Sequence, residues 1–269
     1  MKKKEKGGKG FSKILISIFA ILLMGVLVVS GTQIYQIKTG YKKADQEYEH
    51  IKFYKPTVES PQKDLETEAE SQKSSKLQSG FTENPSLKEL QNLYPDVAGW
   101  LTIEGTQIDY PFAQGKDNEQ YLRKTLEGNT LISGTVFMDY RAEKDFSNFN
   151  TVLYGHRMNN GTMFSDIEKF SNKSYFDEHT TGELFLPDTS YSLEIFAYMV
   201  VDSDNPVIYD PSISGEVFLP YVKEHALNYR NIDETESDHF ITLSTCTSSS
   251  SESRSVLVAK LSEGPAPRL

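Results

Sequence analysis

The hydrophobic positions of this chain fall into two regimes separated by a polar stretch. From Ile14 to Ile37 there are 24 consecutive uncharged residues, the first part of them densely apolar. A helix rising about 1.5 Å per residue needs about 20 such residues to cross the hydrocarbon of a bilayer, so 14–37 reads as a membrane-spanning helix. Ser30 and Gly31 also fit a cleaved signal peptide. The run is longer than the roughly 7 to 15 residues of a signal-peptide core, which favours an uncleaved anchor. Tyr41, Tyr48, Ile51 and Tyr54 can carry that helix a few turns further along one face. Residues 38–83 are otherwise rich in Lys, Glu, Gln and Ser and show no sustained apolar period after Tyr54. Such a stretch cannot bury enough surface to offset the entropy of ordering it, and reads as a stalk.

The pattern changes at Asn84. Asn84-Pro85-Ser86 before LKELQNLY predicts a capped short helix that Pro95 ends. From Val97 onward, short β-branched and aromatic runs alternate with turn residues. The segments VAGWLTI, GTQIDYPF, GTVFMD, NTVLYGH, GELFLP, YSLEIFAYMVV, HFITLST and RSVLVAKL all read as strands. DNEQYLRKTL (117–126) and residues 216–230 read as helices, with Pro220 expected in the first turn of the second. Many short strands with few helices fit a closed or nearly closed β-barrel with peripheral helices.

Charge sharpens the division. Residues 1–13 hold six lysines against Glu5, a net +5, so the remaining 256 residues carry −15 of the overall −10. The basic tip reads as a cytoplasmic flank, which places the N-terminus inside and the residues after 37 outside the cell. An acidic body argues against nucleic acid as a partner. The domains expected are thus a basic tail (1–13), an anchor (14–37), a stalk (38–83) and a folded domain (84–269). With one cysteine no internal disulfide can form, and the five histidines show no paired ligand spacing, so neither a metal nor another cofactor is expected.

The single cysteine, Cys246, closes the strand-like run ITLSTC and precedes a Ser-rich turn. Free cysteine is often a buried core residue, but polar neighbours Ser244, Thr245, Thr247 and Ser248 argue against that role here. A thiol with an ordinary pKa near ~8.5 needs a base or a cation to act as a nucleophile at neutral pH. His156 follows the strand NTVLY and Gly155, which permits a tight turn, so it is presented at a strand end as well. Arg254 lies eight residues after Cys246. If the segment between them is a hairpin, its guanidinium returns beside the thiol and can support an oxyanion. His50, His179, His225 and His239 occupy positions that suggest no chemistry.

These residues carry a resemblance. TLSTC (242–246), with Arg254 after it and a YGH histidine 90 residues before it, resembles the sortases, and specifically class B sortases. GWLTIEGTQIDYPFAQGKDNEQYL (99–122), GTVFMD (134–139) and NTVLYGHRMNNGTMF (150–164) extend the likeness to about 84–262. The resemblance implies an eight-stranded sortase-type β-barrel with peripheral helices and an N-terminal helical extension. It implies a membrane-anchored cysteine transpeptidase that cleaves a C-terminal sorting signal of secreted proteins and joins them to a cell-wall (peptidoglycan) amine or a pilin amine. By motif, Cys246 is the nucleophile, His156 the acid and base, and Arg254 the transition-state cation, while Asn118, Leu122, Tyr154 and Ser244 line the sorting-signal groove. A housekeeping anchor, a dedicated anchor and a pilin polymerase would share these catalytic residues and differ in substrate. A cysteine peptidase of the papain order is disfavoured because here the histidine precedes the cysteine. A non-catalytic surface domain would leave the three residues to coincidence.

Overall fold

The computed structural model of the chain describes residues 8–56, 84–247 and 252–264. Helix α1 (Gly8–Ile51) is a single 44-residue helix, and its stretch from Ile16 is long and apolar enough to cross a membrane. The apolar side chains that the sequence places there, Ile16 to Val29, are exposed. A helix apolar all round and bare of protein is suited to lipid.

The chain divides into a unit of residues 1–47 and a body beginning at Tyr48. In the body, helix α2 (Pro85–Leu93) precedes strands β1 (Val97–Ile103), β2 (Asp109–Gln114), β3 (Val136–Met138) and β4 (Asn150–Tyr154). A 3₁₀ segment (Ser165–Ser171) and helix α3 (Lys173–Glu178) lead to β5 (Thr181–Phe185) and the long β6 (Ser190–Asp202). Helix α4 (Gly215–His225) and β7 (Asn228–Tyr229) precede β8 (His239–Cys246) and β9 (Ser253–Glu263). The sheet runs β5–β1–β2–β3–β4–β8–β9–β6–β7, and β5 also pairs with β6. That pairing closes a ring of eight strands. Closure removes the open edges that a flat sheet of this size would present, and the ninth strand, β7, pairs with β6 beyond the stretch that β5 covers.

The closed barrel is held by apolar side chains drawn from elements far apart in sequence. Phe196, Met199, Phe218, Phe240, Val256 and Val258 pack as one cluster, which joins α4 to β6, β8 and β9. A second cluster joins Ile51 to Leu87, Leu90, Val97, Trp100 and Phe185. Each such side chain contributes roughly 1.5–3 kcal/mol by leaving water.

Several elements differ from what the pattern predicts. Residues 117–126 form turns instead of a helix. Asp117 Oδ1 accepts the backbone N–H groups of Glu119 and Gln120 at 3.0 and 2.8 Å. The Gln120 amide and the Tyr121 hydroxyl both bind Asp96, so the segment is tied to the body by its side chains. Asp competing for backbone donors in this way is what favours turns over helix interiors. Helix α4 starts at Gly215 and stops at His225, so Pro220 sits inside it and not in its first turn. Burial of Phe218 and Val222 on either side of the proline offsets the missing backbone bond. Residues 226–230 leave the helix and supply β7.

The start of the expected stalk also belongs to the body. Ile51 is 3% exposed, and Lys55 pairs with Asp109 at 2.8 Å. Residues 48–56 therefore pack on the barrel, ahead of the boundary expected at 84. The remainder of the expected stalk, 57–83, lies outside the described residues, as do the expected tail before Gly8 and Ser248.

Candidate active site

The site is assembled where β4, β8 and β9 end side by side. β4 and β8 are parallel, with Tyr154 opposite Ser244, and β8 and β9 are antiparallel, with Cys246 opposite Arg254. Directly opposed residues in an antiparallel pair hold their Cβ atoms about 4.5–5.5 Å apart, which brings thiol and guanidinium to the same barrel rim. The hairpin geometry expected from the spacing of Cys246 and Arg254 is thus present in the ladder. Arg254 Nη1 donates to the Ser253 carbonyl at 3.2 Å.

His156 arrives two residues after β4. Gly155 is required by close approach and not by its φ: a Cβ there would stand 2.6 Å from the Phe164 ring. The Gly155 N–H donates to the Ser244 carbonyl at 3.1 Å, and the His156 carbonyl accepts from Phe164 N–H at 3.0 Å. These bonds fix the backbone that carries the imidazole. Its Nε2 lies 2.6 Å from the Leu122 carbonyl. A carbonyl only accepts, so Nε2 carries the proton and Nδ1 is the nitrogen left for proton exchange. Burial lowers the His156 pKa, the Leu122 carbonyl opposes that shift, and the Arg123 charge adds to it.

A cavity of about 220 Å³ is lined by Asn118, Leu122, Tyr154, His156, Ser244, Cys246 and Arg254 together. All seven residues singled out in the sequence therefore meet in one place. Cys246 is half-buried and lines the cavity. Leu122 contributes an exposed side chain as well as the carbonyl that holds His156.

Other lining residues were not singled out by the sequence, although Phe137 and Thr245 lie within the GTVFMD and TLSTC segments. Phe137, Ser203, Tyr209 and Thr245 face the same cavity. Tyr209 stands in the connection between β6 and α4, where nothing in NPVIYDP marks it as part of a site. Its hydroxyl shares a 2.9 Å hydrogen bond with Ser244 Oγ, and its ring stacks on Tyr154 with centroids 6.1 Å apart. Burial pushes its pKa up to about 12, against the opposing effects of the Ser244 bond and the Arg254 charge, so it stays a neutral phenol.

Behind the cavity, Asp139 follows β3 with 2% exposure. Burial alone would raise its pKa, but the hydrogen bonds from Arg141, assisted by Asn118, hold it below the usual carboxylate range. Tyr154, hydrogen-bonded to the same carboxylate, is raised far above the ordinary phenol range, first by burial and then by the Asp139 charge.

Residues 101–262 match the Sortase domain family. The chain belongs to the sortase family. It is 37% identical over 163 residues to Sortase B of Listeria monocytogenes, an alignment covering 60% of this chain and 66% of that one. It is 30% identical over 256 residues to Sortase B of Staphylococcus aureus, covering 93% of this chain and 97% of the relative. The crystal structure of a Staphylococcus aureus sortase B–substrate complex superposes with a TM-score of 0.62 at 30% identity, over 66% of this chain and 85% of that one. The closed eight-stranded barrel is thus that of the class B sortases, and this sortase is a cysteine transpeptidase.

Proposed function

We propose that this sortase cleaves a C-terminal sorting signal on secreted proteins through a thioester on Cys246 and transfers the new carboxyl to a cell-wall amine. The observation that carries the assignment is the convergence of Cys246, Arg254 and His156 on one cavity from three adjacent strand ends. Burial biases His156 toward neutral imidazole, so Nδ1 takes the Cys246 proton as sulfur attacks the carbonyl carbon. Arg254 donates to the oxyanion of the tetrahedral intermediate. The intermediate collapses as the C–N bond breaks, and His156 returns the proton to the departing amine. The thioester then accepts a second amine, which passes its proton to His156, and the thiolate leaves and is reprotonated. The same ring serves as base and acid in each half, so no other titrating group is needed.

The groove is formed by Asn118, Leu122, Tyr154 and Ser244. The apolar α1 stretch and the lysines before it support a single-pass anchor with the N-terminus in the cytoplasm and the catalytic body outside. The receiving amine belongs to a peptidoglycan precursor or to a pilin. The test is cleavage by the soluble body of a fluorogenic peptide panel of NPxTN and LPxTG types. Cleavage of one type by the unaltered body and none by Cys246→Ala supports the reading; cleavage that survives Cys246→Ala sinks it.

A further inference from the structure

The groove walls share one buried anchor that the chemistry above does not use. The Asp139 carboxylate accepts Asn118 Nδ2 at 3.1 Å and the Tyr154 hydroxyl at 3.0 Å, so it holds two of the groove residues directly. It also accepts Arg141 Nε at 2.9 Å and Nη2 at 2.7 Å. The same Nη2 donates to the Tyr209 carbonyl at 2.8 Å, on the connection between β6 and α4. Tyr209 in turn holds Ser244 through its hydroxyl. Asn118, Tyr154, Tyr209 and Ser244 are therefore linked through one carboxylate and one guanidinium, although they come from four separate parts of the sequence.

We propose that Asp139 and Arg141 form a clamp that sets the width of the sorting-signal groove, and that Arg141 is a positioning residue for peptide binding and not for the chemistry on Cys246. The proposal rests on the groove assignment made above. A guanidinium suits the task because its planar fork serves two acceptors at fixed angles, the Asp139 carboxylate and a backbone carbonyl of the connection that carries Tyr209. Lysine would keep the charge beside Asp139 but would hold the two walls in no fixed relation. The connection carrying Tyr209 has other ties to the barrel: Asn150 Nδ2 donates to the Ile208 carbonyl and Asn148 Nδ2 to the Pro211 carbonyl, each at 3.2 Å. Loss of the clamp should loosen the groove while leaving the loop attached.

The experiment compares Arg141→Lys and Arg141→Ala with the unaltered body, using the peptide cleaved fastest in the panel above and, separately, alkylation of Cys246 by iodoacetamide. The small reagent reads thiol reactivity without needing the groove. The expected result is a loss of kcat/KM of about 10-fold or more in Arg141→Lys, carried mainly by KM, with alkylation unchanged within about twofold. Tyr209→Phe should cost less in the Arg141→Lys background than alone, because the wall it braces is already released. Unchanged kcat/KM in Arg141→Lys would overturn the clamp, as would alkylation falling in parallel with peptide cleavage, which would mark general damage to the fold. The two readings fail differently: cleavage surviving Cys246→Ala removes the catalytic assignment, whereas a normal Arg141→Lys removes only the clamp.

Discussion

Arg254 and His156 are each held by geometry that makes a definite demand on their chemistry. If Arg254 acts as a fork of directed donors, Arg254→Lys keeps the charge and loses the geometry. Turnover of the cleaved peptide should then fall about 10²- to 10³-fold, the cost of an oxyanion donor, while iodoacetamide still labels Cys246. Near-normal turnover would mean that charge alone suffices. His156 makes a prediction about stability. Its folded pKa lies below its unfolded value, so the unfolded chain binds the proton more readily and stability falls as pH drops through about 6.5. The urea midpoint should be lower at about pH 5.5 than at about pH 7.5, and the difference should shrink in His156→Gln. Asp139 acts in another window: its depressed pKa gives stability present above about 3.9 and lost below that. At this scale the sequence exposed Cys246, His156 and Arg254 because each stands at the edge of a strand-like run. Asp139, Arg141 and Tyr209 were not legible, since their roles consist of hydrogen bonds between segments that only the closed barrel brings together.

At the scale of elements, strand periodicity was a better guide than helical periodicity. Each of the eight predicted runs contains or overlaps a strand of the ring, since alternating and β-branched runs have few other ways to bury both faces. DNEQYLRKTL failed as a helix because Asp117 and the Asp96 contacts satisfy its polar groups in a turn, a choice made partly by a residue 21 positions upstream. Helix α3 was missed because its six residues are too few to show a period; Asn172, which caps it by accepting Tyr175 N–H at 3.1 Å, was its one local signal. Ile51 carries the prediction here. It is buried against α2, β1 and β5, so Ile51→Ala should lower the unfolding free energy of the body by about 2–5 kcal/mol in urea melts. A loss below about 0.5 kcal/mol would mean that the segment does not stay on the barrel.

For the whole molecule, the sequence separates an apolar helix from an acidic catalytic body, but it sets the start of that body too late. The reason is physical: Tyr48, Ile51 and Tyr54 fall on one face that also fits a continuation of the membrane helix, and nothing local in the sequence shows that this face packs on a barrel that begins more than 40 residues later. A fragment beginning at Tyr48 should therefore resist urea better than one beginning at Asn84, which lacks both Ile51 and the Lys55–Asp109 pair. Equal midpoints would return the boundary to 84. The proposed transpeptidation requires a covalent intermediate at one sulfur. The body should be incubated with the cleaved peptide in the absence of any amine acceptor, quenched in acid and weighed intact by mass spectrometry. The result predicted is an adduct equal to the peptide fragment ending at its threonine, mapped to Cys246 and released by hydroxylamine. Peptide cleavage with no adduct at Cys246, or an adduct that persists in Cys246→Ala, would contradict it.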